Sequence, residues 1–100
     1  IPVASDAPPT LCDALQTPKV SPITFGILKE RGAWALSVSE DQTREAVRHA
    51  HRELGLILEP GGAVALAAVL AGKAPIQPGT VVVLSGGNID PAVHAEIVNA

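Results

Sequence analysis

Thr80-Val81-Val82-Val83-Leu84-Ser85-Gly86-Gly87-Asn88-Ile89-Asp90 runs four consecutive apolar residues, three of them β-branched, into a serine, two glycines and an asparagine. Such a run predicts a strand covered on both faces, the usual state of a parallel strand in an α/β domain. Ligands of open α/β sheets sit in the crevice beyond the carboxyl ends of the strands, and Ser85 to Asn88 occupy that place. Paired glycines let backbone approach a flat or anionic group, and Ser85 adds one neutral hydroxyl at the strand tip. The same four residues also suit a plain strand-to-helix turn that needs positive φ, and the pattern alone leaves both roles open. Two glycines without a lysine fall short of a dinucleotide fingerprint or a P-loop.

The flanking sequence supplies the helices. Asp90 and Pro91 fit the cap and first-turn positions of a helix reaching about Asn99. Before the strand, Pro75, Pro78 and Gly79 form a turn, preceded by a helix over Ala63 to Ala71 that ends at Gly72 and is apolar enough to be buried. Glu59-Pro60-Gly61-Gly62 leads into that helix from a short extended Leu56-Ile57-Leu58. The Glu59 carboxylate complements the helix dipole there, which explains it without a direct role at a ligand. Ser39-Glu40-Asp41-Gln42 is a capping box, so a helix starts there, buries a stripe of Ala46, Val47, Ala50 and Leu54, and stops at Gly55. Ala33 to Val38 reads as a strand. Pro22 opens a short amphipathic helix carrying Ile23, Ile27 and Leu28, closed by Gly32. Residues 1–10 have a linker composition and form an irregular leader to the single unit 11–100. The order is helix, strand, helix, helix, strand, helix, an α/β class with few strands.

Composition narrows the function. One hundred residues bury only about two-thirds of their unfolded surface, which limits the chain to one small domain. Phe25 and Trp34 are the sole aromatics and the net charge is -3, so the aromatic and basic surface of a nucleic-acid binder is missing. The longest apolar stretch, Ala63 to Ala71, is far below the ~20 residues needed to span a bilayer, so a membrane role is not expected. The lone Cys12 excludes an intrachain disulfide and suits a soluble protein of the reducing cytoplasm. The chain starts at Ile1 and contains no methionine, so it is not expected to be a complete primary translation product. His49 and His51, two apart on a helix, point about 200° apart and cannot chelate one ion. Lys19, Lys29 and Lys73 lie in solvated or loop contexts, and none is assigned to covalent catalysis.

Four blocks in order, Leu11-Cys12-Asp13-Ala14-Leu15, Thr24-Phe25-Gly26-Ile27-Leu28, Leu58-Glu59-Pro60-Gly61-Gly62-Ala63-Val64-Ala65-Leu66-Ala67-Ala68 and Val81 to Asp90, resemble the C-terminal segment of the threonine/serine dehydratases and serine racemases. These are pyridoxal-phosphate enzymes of the tryptophan-synthase β type, fold type II. The resemblance implies that Ser85 lies against the pyridine nitrogen of the cofactor. Gly86, Gly87 and Asn88 would line the cofactor beside it, with Glu59 as a further contact. A neutral hydroxyl does not hold that nitrogen protonated as an aspartate would, which weakens the ring as an electron sink and suits loss of a β-hydroxyl. The implied reaction converts a β-hydroxy amino acid to a 2-oxo acid and ammonia.

The family's Ser-Phe-Lys block, glycine-rich phosphate loop, substrate-carboxylate loop and divalent-cation ligands precede the matched region. No catalytic or metal-ligating residue is therefore assigned here. The chain is expected to be the C-terminal part of a larger cofactor-binding domain, to bind no pyridoxal 5'-phosphate and to be inactive alone. The whole enzyme is expected to be a homo-oligomer. Two other classes remain open: a free-standing α/β binding or regulatory module for an anionic small molecule at Ser85 to Asn88, and a structural piece that self-associates through bare sheet edges. An ACT-type amino-acid sensor would need a βαββαβ order that two strands among four helices do not supply.

Overall fold

The computed structural model describes residues 9–100, so the expected irregular leader lies outside the described residues except for Pro9 and Thr10. Among the described residues four helices follow in chain order: α1 (Pro22–Glu30), α2 (Glu40–Leu54), α3 (Val64–Leu70) and α4 (Pro91–Val98). Two short 3-10 turns, Asp13–Leu15 and Pro60–Ala63, complete the regular structure.

Helix α2 is the spine, and its start is chemically specified. The Gln42 amide donates to the Ser39 hydroxyl at 3.1 Å, while the Ser39 amide donates to Oε1 of Gln42 at 2.8 Å. This closes the capping box read from the sequence and satisfies two otherwise orphaned donors. At the other end Gly55 takes the left-handed conformation at φ 66°, and Leu56 N–H returns to Ala50 O at 3.0 Å. The inward stripe of Thr43, Ala46, Val47 and Ala50 is buried. Thr43 hides its hydroxyl by donating to Ser39 O at 3.0 Å. Leu54, expected in this stripe, lies in the last turn of α2 and is instead exposed.

The core joins that stripe to Leu58, Ala63, Leu66 and Ala67 from the α3 side and to Ile97 of α4. Alanines at 46, 50, 63 and 67 let these backbones come close, and Val47, fully buried, contributes about 1.5–3 kcal/mol by leaving water. Helix α4 is fastened further by Arg48, whose Nη1 donates to Ile97 O at 3.1 Å. Helix α3 is less covered than its composition suggests: Leu66, Ala67 and Ala68 are buried, whereas Leu70 is 43% exposed.

The α/β layering is present only in part. The molecule measures 42 × 36 × 19 Å, a slab about two layers thick. Val38, Val82, Leu84 and Ile89 pack against the helical core and form the second layer. Along 81–84 the side chains alternate as in a strand, with Val82 and Leu84 inward and Val81 and Val83 83% and 67% exposed. Yet the two expected strands, 33–38 and 80–84, are not strands among the described residues. A strand exists through its ladder, and among the described residues no backbone hydrogen bond joins either segment to a parallel or antiparallel neighbour. The expected cover on both faces of 81–84 is likewise realised on one face only.

Helix α1 matches its expected bounds, capped by Ser21, which accepts from the Ile23 amide at 3.2 Å. No helix or 3-10 turn among the described residues packs on it, so Ile23, Ile27 and Leu28 are all more than half exposed.

The segment before the first 3-10 turn is tied to α2 by one carboxylate. Glu40 accepts from the Thr10 hydroxyl and, through Oε2, from the Leu11 amide at 3.0 Å. The Thr10 hydroxyl first, and then the Leu11 amide, hold the Glu40 carboxyl below its ordinary 4.5. A depressed folded value means that this clasp stabilises fully above about pH 4.5 and is lost as pH falls through the lowered value. Intrinsically corrected amide exchange at Leu11 and Cys12 should therefore accelerate severalfold below pH 4.5. Glu40→Gln should abolish that acid step, and an acid step surviving in the variant would contradict the assignment.

Candidate functional site

The Ser85–Asn88 turn is held by the turn that precedes α3. Glu59 N–H donates to Gly86 O at 2.7 Å, and Ser85 N–H donates to Gly62 O at 3.3 Å. Gly62 N–H in turn donates to Glu59 O at 3.0 Å, closing the 3-10 turn between the two contacts. These bonds lie at the tip of the 80–84 segment, so they fix Ser85 and Gly86 relative to the helical layer without forming a ladder.

Glycine is required on both sides of this contact. A Cβ on Gly62 would stand 1.4 Å from Ser85 O, closer than any two heavy atoms can approach without bonding. Gly86 has φ +77, and a Cβ there would stand 2.0 Å from Glu59 Oε1. Gly87 is less constrained, its Cβ meeting Ile57 O at 3.2 Å. The positive φ anticipated for the turn thus falls on Gly86, and the paired glycines divide into one conformational requirement and one of space.

The side-chain polar groups of the turn are uncommitted among the described residues. Ser85, Gly86, Gly87 and Asn88 are exposed, and among the described residues the Ser85 hydroxyl and the Asn88 amide accept or donate no hydrogen bond. Asn88 borders a hollow of about 170 Å³ with Leu11, Asp13, Glu59, Pro60 and Asp90. Asp90 is already committed to capping α4, its Oδ1 accepting from the Ala92 amide at 2.8 Å. Glu59 does not cap: it stands at the N-terminal position of the 3-10 turn with no side-chain capping bond, and its carboxylate lies over Gly86. The dipole reading of Glu59 therefore misses what the side chain touches.

Gly62 is the residue that sequence reasoning left out of the site. Its signal was the second glycine pair, Gly61-Gly62, matching Gly86-Gly87. Two glycine pairs that meet in space mark a close backbone crossing.

Other chemistry-bearing groups lie apart. His94, for which the sequence offered no partner, is buried edge-on to His51, ring centroids 5.1 Å apart, and its Nε2 has no hydrogen bond. No group of three or more potential metal ligands occurs among the described residues. Lys73 Nζ donates to Ser37 O at 2.8 Å, tying the loop after α3 to the 33–38 segment. Burial pushes the Cys12 thiol up, more than the Thr43 and Thr10 hydroxyls pull it down, so Cys12 is a packing residue. No helix among the described residues is long and apolar enough to cross a membrane.

An exposed serine and asparagine stand on a glycine-fixed turn at the end of an apolar extended segment, the position at which open α/β sheets carry their ligands. The chain belongs to the pyridoxal-phosphate dependent enzyme family, whose model matches residues 1–87. It is similar to a serine racemase from Dictyostelium discoideum, 33% identical over 92% of this chain and 29% of that protein. It is also similar to an L-threonine ammonia-lyase from Thermotoga maritima, 33% identical over 91% of this chain and 23% of that protein. A crystal structure of a threonine deaminase superposes with a TM-score of 0.78 at 37% identity, over 90% of this chain and 32% of the other. The chain thus spans about a quarter to a third of the length of these relatives. The family resemblance and the α/β class read from the sequence are both borne out, for a piece of a fold type II domain.

The crossing of the two turns makes a testable demand. Gly62→Ala should destabilise the full-length enzyme by about 2 kcal/mol or more through overpacking. Gly61→Ala, whose Cβ meets only the Ala14 methyl at 3.3 Å and Leu15 at 3.7 Å, should cost less than half as much. Equal losses in thermal unfolding would contradict the crossing.

Proposed function

We propose that this chain is the C-terminal part of the cofactor-binding domain of a pyridoxal-phosphate-dependent ammonia-lyase. The enzyme converts a β-hydroxy amino acid to a 2-oxo acid and ammonia. The observation that carries this reading is the exposed Ser85 hydroxyl, uncommitted among the described residues and presented by a backbone fixed at Glu59 and Gly62. The similarity to a threonine ammonia-lyase and a serine racemase supports the substrate class.

The residues present fit the cofactor at one edge. Ser85 would meet the ring nitrogen, since a neutral hydroxyl can donate to an unprotonated pyridine nitrogen. Gly86 and Gly87 leave backbone without side chains where a flat ring approaches. When bound, the cofactor supplies an electron sink for cleavage of the substrate Cα–H bond. Ser85 would leave the ring nitrogen without a full proton, which would temper that sink. Asn88 follows on the same turn, its amide available to orient ring substituents or substrate.

The Schiff-base lysine, phosphate cradle and substrate loop come from the rest of the enzyme. The exposed Val81 and Val83 face and the unladdered 33–38 and 80–84 segments support that division, since a free-standing module would leave them bare.

In the full-length enzyme Ser85→Ala should shift the cofactor absorption spectrum and lower the elimination rate together, by about tenfold or more. An unchanged spectrum and rate would remove Ser85 from the site. The isolated chain mixed with pyridoxal phosphate should yield no borohydride-trappable adduct on a single lysine. Specific labelling of Lys19, Lys29 or Lys73 would contradict the assignment of the cofactor lysine to the rest of the enzyme.

A further inference from the structure

Glu59 is a helix-entry glutamate that does not cap. Its side chain runs along Gly86 instead: a Cβ there would stand 2.0 Å from Oε1, 2.7 Å from Cδ and 2.9 Å from Cγ. Three consecutive side-chain atoms therefore cover the α-carbon of Gly86. The backbone of the same residue holds Gly86 from its other end, Glu59 N–H donating to Gly86 O at 2.7 Å. Gly86 is in the left-handed region at φ +77, where a glycine unsupported by its surroundings has wide freedom.

This matters for Ser85 because the two residues share a peptide plane. Fixing φ of Gly86 and the position of its carbonyl fixes that plane, and the plane together with the position of the Ser85 amide sets the direction of the Ser85 Cα–Cβ bond. The Ser85 amide is pinned independently by Gly62 O at 3.3 Å. Ser85 is thus held on its N-terminal side by Gly62 and on its C-terminal side by Glu59 through Gly86. Its hydroxyl is left with only χ1 to choose.

We propose that Glu59 is the positioning residue for Ser85, acting by the shape of its side chain over Gly86 rather than by touching the reacting atoms. This rests on the reading of Ser85 as the contact to the cofactor ring nitrogen. The covering atoms are Cγ, Cδ and Oε1, so a glutamine satisfies the requirement. An aspartate, one carbon shorter, does not reach as far over Gly86.

The test is a double-mutant cycle in the full-length holoenzyme, read by cofactor absorption, kcat and KM. Glu59→Ala should shift the absorption in the same direction as Ser85→Ala and lower kcat about fivefold or more, with KM altered less than about twofold. Added to Ser85→Ala it should cost less than about a further twofold, because a residue acting through Ser85 has nothing left to position. Glu59→Gln should restore most of the loss and Glu59→Asp should not. Full multiplicative loss in the double variant, or a Glu59→Gln as impaired as Glu59→Ala, would overturn the proposal while leaving the Ser85 assignment standing. A Ser85→Ala enzyme with unaltered spectrum and rate would overturn the Ser85 reading itself, and the proposal with it.

Discussion

The Gly62 α-carbon and the Ser85 carbonyl share a space too small for one methyl group, since a Cβ on Gly62 would stand 1.4 Å from that oxygen. From this crossing follows the placement of everything that could meet a ligand. The Ser85 amide reaches Gly62 O, the Gly86 carbonyl receives Glu59 N–H, and Gly86 is turned to positive φ against the Glu59 side chain. A serine at the end of a mobile loop would lose much of its hydrogen-bond energy to ordering. One fixed by neighbours on both sides has that ordering built in before the ligand arrives.

The helical layer exists to hold one side of that crossing still. Gly62 lies in the 3-10 turn that feeds α3, and α3 is buried through Leu66 and Ala67 against Ala46, Val47 and Ala50 of α2. Small residues at these positions bring α2 and α3 together, and the capping box at Ser39 fixes where α2 begins. The other side of the crossing is carried by Val82 and Leu84, which pack inward on the same core. The turn is therefore held at a junction of two layers, with Val81 and Val83 exposed on the outer face of the second.

Local chemistry was legible in the sequence wherever it is self-contained. The box at Ser39 and Gln42, the left-handed Gly55, the proline-led starts of α1 and α4 and the Asp90 cap are settled by neighbours a few residues apart, and all appear as read. The strands at 33–38 and 80–84 could be read only as half of a pairing. Their apolar pattern suggests a strand, but a strand is defined by its ladder, and no ladder hydrogen bond joins either segment among the described residues. The capping role read for Glu59 failed, and Gly62 was passed over, for a related reason. Helix-entry rules look forward along the chain, whereas both residues answer to Ser85 and Gly86, more than twenty positions later. His94 was opaque likewise, its neighbour being His51 on a different helix.

The central claim is that Ser85 meets the cofactor ring nitrogen and leaves it without a full proton. The direct measurement is the 15N chemical shift of the ring nitrogen in full-length enzyme loaded with 15N-labelled pyridoxal phosphate, native and Ser85→Ala. The account predicts an unprotonated, hydrogen-bonded pyridine signal in the native enzyme that moves when the hydroxyl is removed. A pyridinium signal in the native enzyme, or a shift indifferent to Ser85→Ala, would contradict it.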